Sequence, residues 1–180
     1  MLAANPVGPA ESAIGAYPAL AVRAMDIICR EAESSPDFGR APDASSLADR
    51  APFASAVAQA AVDTANRLHL DTIVAFTETG STARLLSKYR PHADVYAYTT
   101  HEETYRRMSI YGGVTPLPSS AHESTDDMLT FVEKDLLERG IADRADPVVM
   151  VAGTPPNIRA TTNLMKLHRI GASTAGNPQH

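Results

Sequence analysis

The spacing of hydrophobic residues changes along this chain, and the changes predict the order of its secondary structure. Two early segments, which begin at Pro18 and Pro52, repeat apolar residues every three or four positions, as one face of a helix does. From Thr72 onward, short runs of β-branched and aromatic residues alternate with helical segments, which predicts strands connected by helices. We expect strands at Thr72–Phe76, Asp94–Thr99, 114–117, Pro147–Ala152 and 162–170.

The composition of individual strands predicts their places in the sheet. Pro147–Ala152 is a continuous apolar run, as expected for a central strand that is covered on both faces. Residues 114–117 include Pro116, which cannot donate a hydrogen bond to a neighbouring strand and therefore favours an edge. Alternating strands and helices are typical of layered α/β domains. The predicted fold is a three-layer αβα sandwich around a mostly parallel five-stranded sheet, with the last strand antiparallel.

The segments outside this pattern are polar or rich in small residues. We interpret residues 1–17 as an arm, residues 34–50 as a mobile loop or linker, and residues 172–180 as a polar tail. Residues 18–171 are then a single α/β domain. The apolar stripe of its first helix includes Cys29, so we expect this thiol to be buried and structural rather than reactive.

The charge and composition of the chain argue against several classes of protein. The formal net charge is −5 and the isoelectric point is about 5.6, so no basic face for duplex nucleic acid is indicated. No window approaches the roughly 18 consecutive apolar residues of a membrane span. The single cysteine excludes an intramolecular disulfide. We expect a cytoplasmic protein without a nucleic-acid or membrane partner, a metal or a cofactor.

The most informative stretch follows the first predicted strand. It is a hydroxyl-rich turn with one glycine, and a helical segment comes after it. The first N–H groups of a helix have no partner within the helix and lie at the positive end of its dipole, so the turn could hold a phosphate. The same residue types also cap helices, and the pattern is not an established nucleotide-binding loop. Both interpretations apply to Thr77, Thr79, Gly80, Ser81 and Thr82.

A second loop is expected at the same edge of the sheet. In open α/β sheets, ligands bind beyond the carboxyl ends of the strands. Residues 153–161 follow the fourth predicted strand and also carry hydroxyl groups. The two loops together would form a site from two hydroxyl-bearing segments.

Several short motifs occur in one order between about residue 10 and residue 171. They include AESAIGAYP at 10–18, TETGSTA at 77–83, KYRP at 88–91, YGGV at 111–114 and VAGTPP at 151–156. In this order they resemble the C-terminal domain of pyruvate kinases. The resemblance implies an α/β domain that makes subunit contacts. In many members this domain holds an allosteric effector, often a phosphorylated sugar or nucleotide.

By position, the resemblance places the effector phosphate at residues 77–82. The loop at 153–161 also contributes in effector-binding relatives, and here Arg159 would supply the cation that a phosphate needs. The family's catalytic barrel lies upstream of where this chain begins, and no residue matches its metal-binding or phosphoryl-transfer motifs. The resemblance would class the chain with phosphotransferases, yet we expect no catalysis by this chain alone.

Three functions from different classes are consistent with the sequence. The first is a stand-alone, non-catalytic module that binds a phosphorylated metabolite for regulation. The second is a homo-oligomerisation or interaction module, or a detached C-terminal part of a pyruvate kinase, without a ligand; the apolar face of the first helix motivates it. The third is an enzyme with another chemistry at the strand ends, for which the sequence offers no paired nucleophile and base.

Overall fold

The computed structural model describes residues 15–35, 51–154 and 162–172. These residues belong to two compact units, Met1–Phe38 and Gly39–His180. The predicted arm at 1–17, loop at 34–50 and tail at 172–180 lie almost entirely outside the described residues and remain predictions.

In the first unit, the described residues form one helix, α1 (Pro18–Glu33), which begins where the sequence predicts. Pro18 is its first residue, a position whose N–H would have no partner within the helix. Ala21 is the only buried residue of α1. Cys29 is exposed, so the expectation that it is buried was wrong. Apolar spacing shows which residues share a helix face, but burial also requires a surface to pack against.

The second unit contains the α/β fold. Each of its five strands lies within two residues of its predicted bounds, and none of the described helices is long and apolar enough to cross a membrane. The elements are α2 (Pro52–Leu68), β1 (Thr72–Phe76), α3 (Ser81–Tyr89), β2 (Asp94–Thr99), α4 (Glu102–Met108), β3 (Val114–Pro118), α5 (Thr125–Glu138), β4 (Pro147–Ala152) and β5 (Leu164–Arg169).

The strand order of the sheet is β3-β2-β1-β4-β5. Three neighbouring pairs are parallel, and β5 pairs with β4 in the antiparallel direction. β3, with Pro116, lies at one edge, and the apolar β4 lies inside the sheet. The predicted topology, including the antiparallel last strand, is confirmed.

Alternate residues of each central strand face opposite sides of the sheet, as the two-residue period of a strand requires. Ile73 and Ala75 of β1 contribute to a core that includes residues of α2 and α3. Val74 and Phe76 contribute to a second core that includes residues of α5. Helices therefore cover both faces, which confirms the three-layer αβα sandwich. The alanines of α2 that have no exposed surface are Ala58, Ala61 and Ala65.

A buried carboxylate links the end of β5 to α5. The Oε1 atom of Glu133, on α5, lies 2.6 Å from Nε2 of His168 on β5 and accepts a hydrogen bond of 2.8 Å from the N–H of Gly171. The side chains of Glu133 and His168 are 5% and 8% exposed. A carboxylate buried this deeply needs such partners, because burial without them is costly. The contact therefore fixes the end of the sheet against the helix on the second face.

Candidate functional site

The candidate site lies at the carboxyl edge of the sheet, between the starts of α3 and α4. β1 and β2 are parallel neighbours, so the segments that follow them leave the sheet side by side. The N–H of Thr77 donates to the carbonyl oxygen of Tyr98 at 3.0 Å, which continues the β1–β2 ladder by one residue. Residues 78–80 then turn into α3. We call residues 77–80 the β1–α3 loop.

The start of α3 presents an open series of backbone donors. The N–H groups of residues 79–83 have no hydrogen-bond acceptor among the described residues. The first bond of the helix joins the Arg84 N–H to the Gly80 carbonyl oxygen at 3.0 Å, so earlier N–H groups have no partner within the helix. Gly80 is the N-cap, and no described side chain caps the helix. Of the two interpretations that the sequence leaves open, capping by hydroxyl groups is not observed.

The carbonyl groups of the β1–α3 loop are bound by α4. The Oγ1 hydroxyl of Thr104 donates to the Glu78 carbonyl oxygen at 2.9 Å, and Nη2 of Arg107 donates to the Thr79 carbonyl oxygen at 2.8 Å. Thr104 is buried, whereas the Arg107 side chain is 45% exposed. The carbonyl groups of Glu78 and Thr79 are therefore occupied, whereas the N–H groups of Thr79 and Gly80 have no acceptor in the described part of the chain.

The Glu78 carboxylate has imidazole and hydroxyl partners of its own. Its Oε2 atom lies 2.6 Å from Nε2 of His101, and the Thr100 hydroxyl donates to the same oxygen at 3.2 Å. Among the described residues, no group of three or more His, Cys, Asp or Glu is placed to hold a metal ion. The pair therefore balances a carboxylate next to the loop rather than forming part of a recognisable metal site.

The β1–α3 loop, α3 and α4 line a cleft of about 740 Å³. Glu102 of this cleft pairs with Arg106 at 2.9 Å, and Glu103 lies 3.9 Å from Nη1 of Arg107. The Arg84 guanidinium also lines the cleft and has no carboxylate partner within the described part of the chain. Every carboxylate of the cleft thus has a basic neighbour, and the Arg84 guanidinium is paired with none of them.

Two of the residues predicted for phosphate binding line the cleft, and a third, the buried Gly80, lies between them. Thr79 and Ser81 are exposed and line the cleft, and the Thr79 hydroxyl donates to the Ser81 hydroxyl at 3.0 Å. Gly80 lies between them with φ of 76°, a left-handed conformation that favours glycine.

The other predicted site residues are placed differently. Thr77 and Thr82 are buried, and Oγ1 of Thr82 lies 2.7 Å from Oγ1 of Thr162. This contact brings the segment after the β4–β5 loop against the first turn of α3. Arg159 lies outside the described residues, and so does most of the second predicted loop.

Sequence reasoning missed Arg84, Thr104 and Arg107, and considered His101 only as a metal ligand or a base. All four line the cleft. A signal for three of them was present in the predicted sheet. If β1 and β2 are parallel neighbours, the segment after β2 must lie beside the β1–α3 loop.

Comparison with known proteins identifies the family. The model of the pyruvate kinase alpha/beta domain matches residues 55–168. Pyruvate kinases of Staphylococcus aureus strains USA300 and COL are 39% identical to this chain over 166 residues, which cover 92% of it. A crystal structure of a pyruvate kinase from Cryptosporidium parvum superposes with a TM-score of 0.68 at 28% identity and covers 89% of this chain.

The match covers only part of each relative. The chain spans 28% of the length of the two Staphylococcus aureus pyruvate kinases and 32% of the Cryptosporidium parvum chain. The family model, over residues 55–168, covers the residues of the cleft and all of the described helices and strands of the second unit except the first three residues of α2 and the last residue of β5. This chain belongs to the pyruvate kinase alpha/beta domain family.

Proposed function

We propose that the cleft binds the phosphate group of a small metabolite, a phosphorylated sugar or nucleotide, and that this binding is regulatory rather than catalytic. The observation that carries the proposal is the series of backbone N–H groups at residues 79–83 without acceptors in the described part of the chain. Successive N–H groups at the start of a helix form a concave donor surface that suits a phosphate.

The charges around these donors support an anionic ligand. Arg84 lines the cleft without a carboxylate partner among the described residues, and Arg107 is anchored to the loop by a single bond from Nη2. A guanidinium has five N–H donors, so Arg107 retains donors for a ligand. The Glu78 carboxylate, which would repel an anion, is directed to His101 and Thr100.

A thermal-shift screen tests the proposal on the whole chain. Phosphorylated sugars and nucleotides are compared with their unphosphorylated parents. At a concentration of 100 times Kd, a ligand stabilises the folded state by about 2.7 kcal/mol, which raises Tm by about 5–10 °C for a chain of this size. The rise should require the phosphate group. Equal or absent shifts across the whole panel, with a cooperative melting transition, would refute phosphate binding.

Two pairs of variants locate the binding. Arg84→Gln and Arg107→Gln should each remove most of the shift, because both cations line the cleft. Lys88→Gln and Arg67→Gln are matched controls, since they remove the same charge at exposed positions outside the cleft lining. Loss of the shift in the controls would place the ligand elsewhere.

We propose self-association through α1 as a second candidate function. Tyr17, Leu20, Ile27 and Ile28 are each at least 60% exposed, and their spacing places them on one face of α1. Large apolar side chains gathered on one exposed face are typical of interaction surfaces. A second copy of the chain could cover them in a symmetric dimer.

Light scattering during size-exclusion chromatography tests this second function. A dimer is expected at high protein concentration, and Ile27→Glu should convert it to a monomer. Val22→Glu is the matched control, because Val22 is also exposed but lies on the opposite face of α1. A wild-type monomer at all concentrations would eliminate self-association.

A further inference from the structure

The β1–α3 loop and α4 are joined by hydrogen bonds that run in one direction only. Side chains of α4 donate, and the carbonyl groups of Glu78 and Thr79 accept. In a trans peptide, the carbonyl of one residue and the N–H of the next point in opposite directions. Because these two carbonyl groups are held toward α4, the N–H groups of Thr79 and Gly80 in the same peptide units are held pointing away from α4. These are the first two donors of the open series.

Close packing reinforces the same contact. A Cβ atom at Gly80 would lie 3.4 Å from Cγ2 of Thr104 and 3.4 Å from Cγ of Met108. Both neighbours are buried. The β1–α3 loop thus packs closely against α4 at Gly80, where the backbone takes the left-handed conformation. The position of the loop therefore depends on the side chains of α4.

We propose that Thr104 is a positioning residue for the anion site: its buried hydroxyl holds the Glu78 carbonyl, and this hydrogen bond sets the direction of the loop N–H groups that bind phosphate. The inference rests on the proposed function, because it assumes that these N–H groups bind the ligand. Donors that are fixed before binding need not be ordered when the ligand arrives, which increases affinity.

Thr104 separates positioning from direct binding better than Arg107 does. Arg107 holds a loop carbonyl and also presents a charge to the cleft, so its removal changes two things at once. The Thr104 side chain carries no charge, and its hydroxyl donates to the Glu78 carbonyl oxygen and accepts a longer contact of 3.4 Å from Nη2 of Arg107. The residue is only 4% exposed. Valine has nearly the same shape as threonine but no hydroxyl, and serine keeps the hydroxyl without the methyl group.

The test compares Thr104→Val, Thr104→Ser and wild type for binding of inorganic phosphate at constant pH and ionic strength. Kd is measured from the shifts of backbone amide resonances, and Tm is measured for each protein. We expect Thr104→Val to weaken phosphate binding roughly five- to tenfold, the loss that corresponds to one hydrogen bond. Thr104→Ser should keep Kd within about twofold of the wild-type value. It should nevertheless lower Tm, because serine lacks the buried methyl group of threonine.

Controls make each outcome decisive. Thr130→Val on α5 removes a hydroxyl that also donates to a backbone carbonyl, that of Asp126, and should leave Kd unchanged. If wild type binds phosphate and Thr104→Val binds it equally well, the positioning role is refuted and the proposed function stands. If wild type binds no phosphate, both fail together. Thr104→Ala replaces Thr104→Val if the latter does not fold.

Discussion

Two helices of the same sheet begin in opposite ways. At the start of α5, Oγ of Ser124 accepts a hydrogen bond of 3.1 Å from the Asp127 N–H, and Asp126 and Asp127 place carboxylates in the first turn. At the start of α3, the cap is Gly80, no described side chain caps the helix and the first turn has no acidic residue. Both helices have hydroxyl residues at their beginning. The difference is that α5 has a side-chain acceptor for one of its first N–H groups and two carboxylates at the positive end of its dipole, whereas α3 has neither within the described part of the chain.

The largest expected loss of stability follows from replacing Gly80, the N-cap of α3, by a residue with a side chain. Gly80→Val should lower the free energy of unfolding by about 2 kcal/mol or more, because a β-branched residue is strained in the left-handed region. Its Cβ would also approach Thr104 and Met108 at 3.4 Å. The expected fall in Tm is about 4–8 °C, with loss of phosphate binding.

Gly140→Val separates strain from contact in this prediction. Gly140 has φ of 66°, and a Cβ there would meet no atom within 4 Å. The variant should lose stability through backbone strain but bind phosphate as wild type does. An equal loss of binding in both variants would show that the cap of α3 has no special role.

The next effect comes from giving α3 the acidic first turn that α5 already has. Ser81→Glu should stabilise the helix by about 0.3–1 kcal/mol through its dipole. It should weaken phosphate binding at least about tenfold, because a carboxylate would lie beside the bound anion. Calorimetric titration with phosphate and a melting curve measure the two effects. Ser120→Glu adds the same charge at an exposed site outside the cleft lining, and a similar loss of affinity there would indicate a general charge effect.

A smaller effect is expected from opening the start of α5. Ser124→Ala removes the hydroxyl that accepts from the Asp127 N–H and should cost about 1 kcal/mol, or about 2–4 °C in Tm. Phosphate binding in the cleft should not change. A variant with unaltered Tm would mean that the cap contributes nothing to stability.

The smallest effect depends on pH and involves His122, which precedes α5. Burial lowers the pKa of this imidazole below its usual range, although Asp127 acts in the opposite direction. At pH values between the usual histidine pKa of about 6.5 and the lowered pKa, the unfolded chain binds a proton at His122 more readily than the folded chain does. The stability contributed by neutral His122 is therefore complete above about pH 6.5 and decreases as the pH falls through the lowered pKa.

Urea unfolding measured at about pH 7.5 and about pH 5.5 checks the sign of this effect. His122→Gln should reduce the difference between the two pH values relative to wild type, whatever its effect on absolute stability. A larger difference in the variant would show that His122 favours the opposite protonation state.

The sequence predicts the fold well because its signals are periodic and local. The apolar run of β4, the proline in β3 and the alternation of strands and helices are each confirmed by the sheet. Burial of Cys29 was predicted wrongly because a helix face can be apolar without a partner. Local patterns determine which elements form, but the surface that each element meets depends on distant parts of the chain.

The site was only half accessible to sequence reasoning for the same reason. Residues 77–82 are contiguous and could be predicted as a site, and Thr79 and Ser81 of this segment line the cleft, whereas Thr104 and Arg107 reach the loop from 26 and 28 positions away. The orientation of a hydroxyl also cannot be read from composition. Thr79 and Thr82 look alike in the sequence, yet one lines the cleft and the other is buried against Thr162.

The Glu133 carboxylate has a consequence for how the domain unfolds. It joins α5 to His168 and Gly171, which are 35 and 38 positions further along the chain. If β5 separates from the sheet while α5 stays in place, the buried Glu133 side chain loses its contacts with His168 and Gly171, and such partly open states are therefore disfavoured. Hydrogen exchange should protect the amides of β5 and α5 to a similar degree, so the antiparallel edge of the sheet does not fray independently of the helix that covers it.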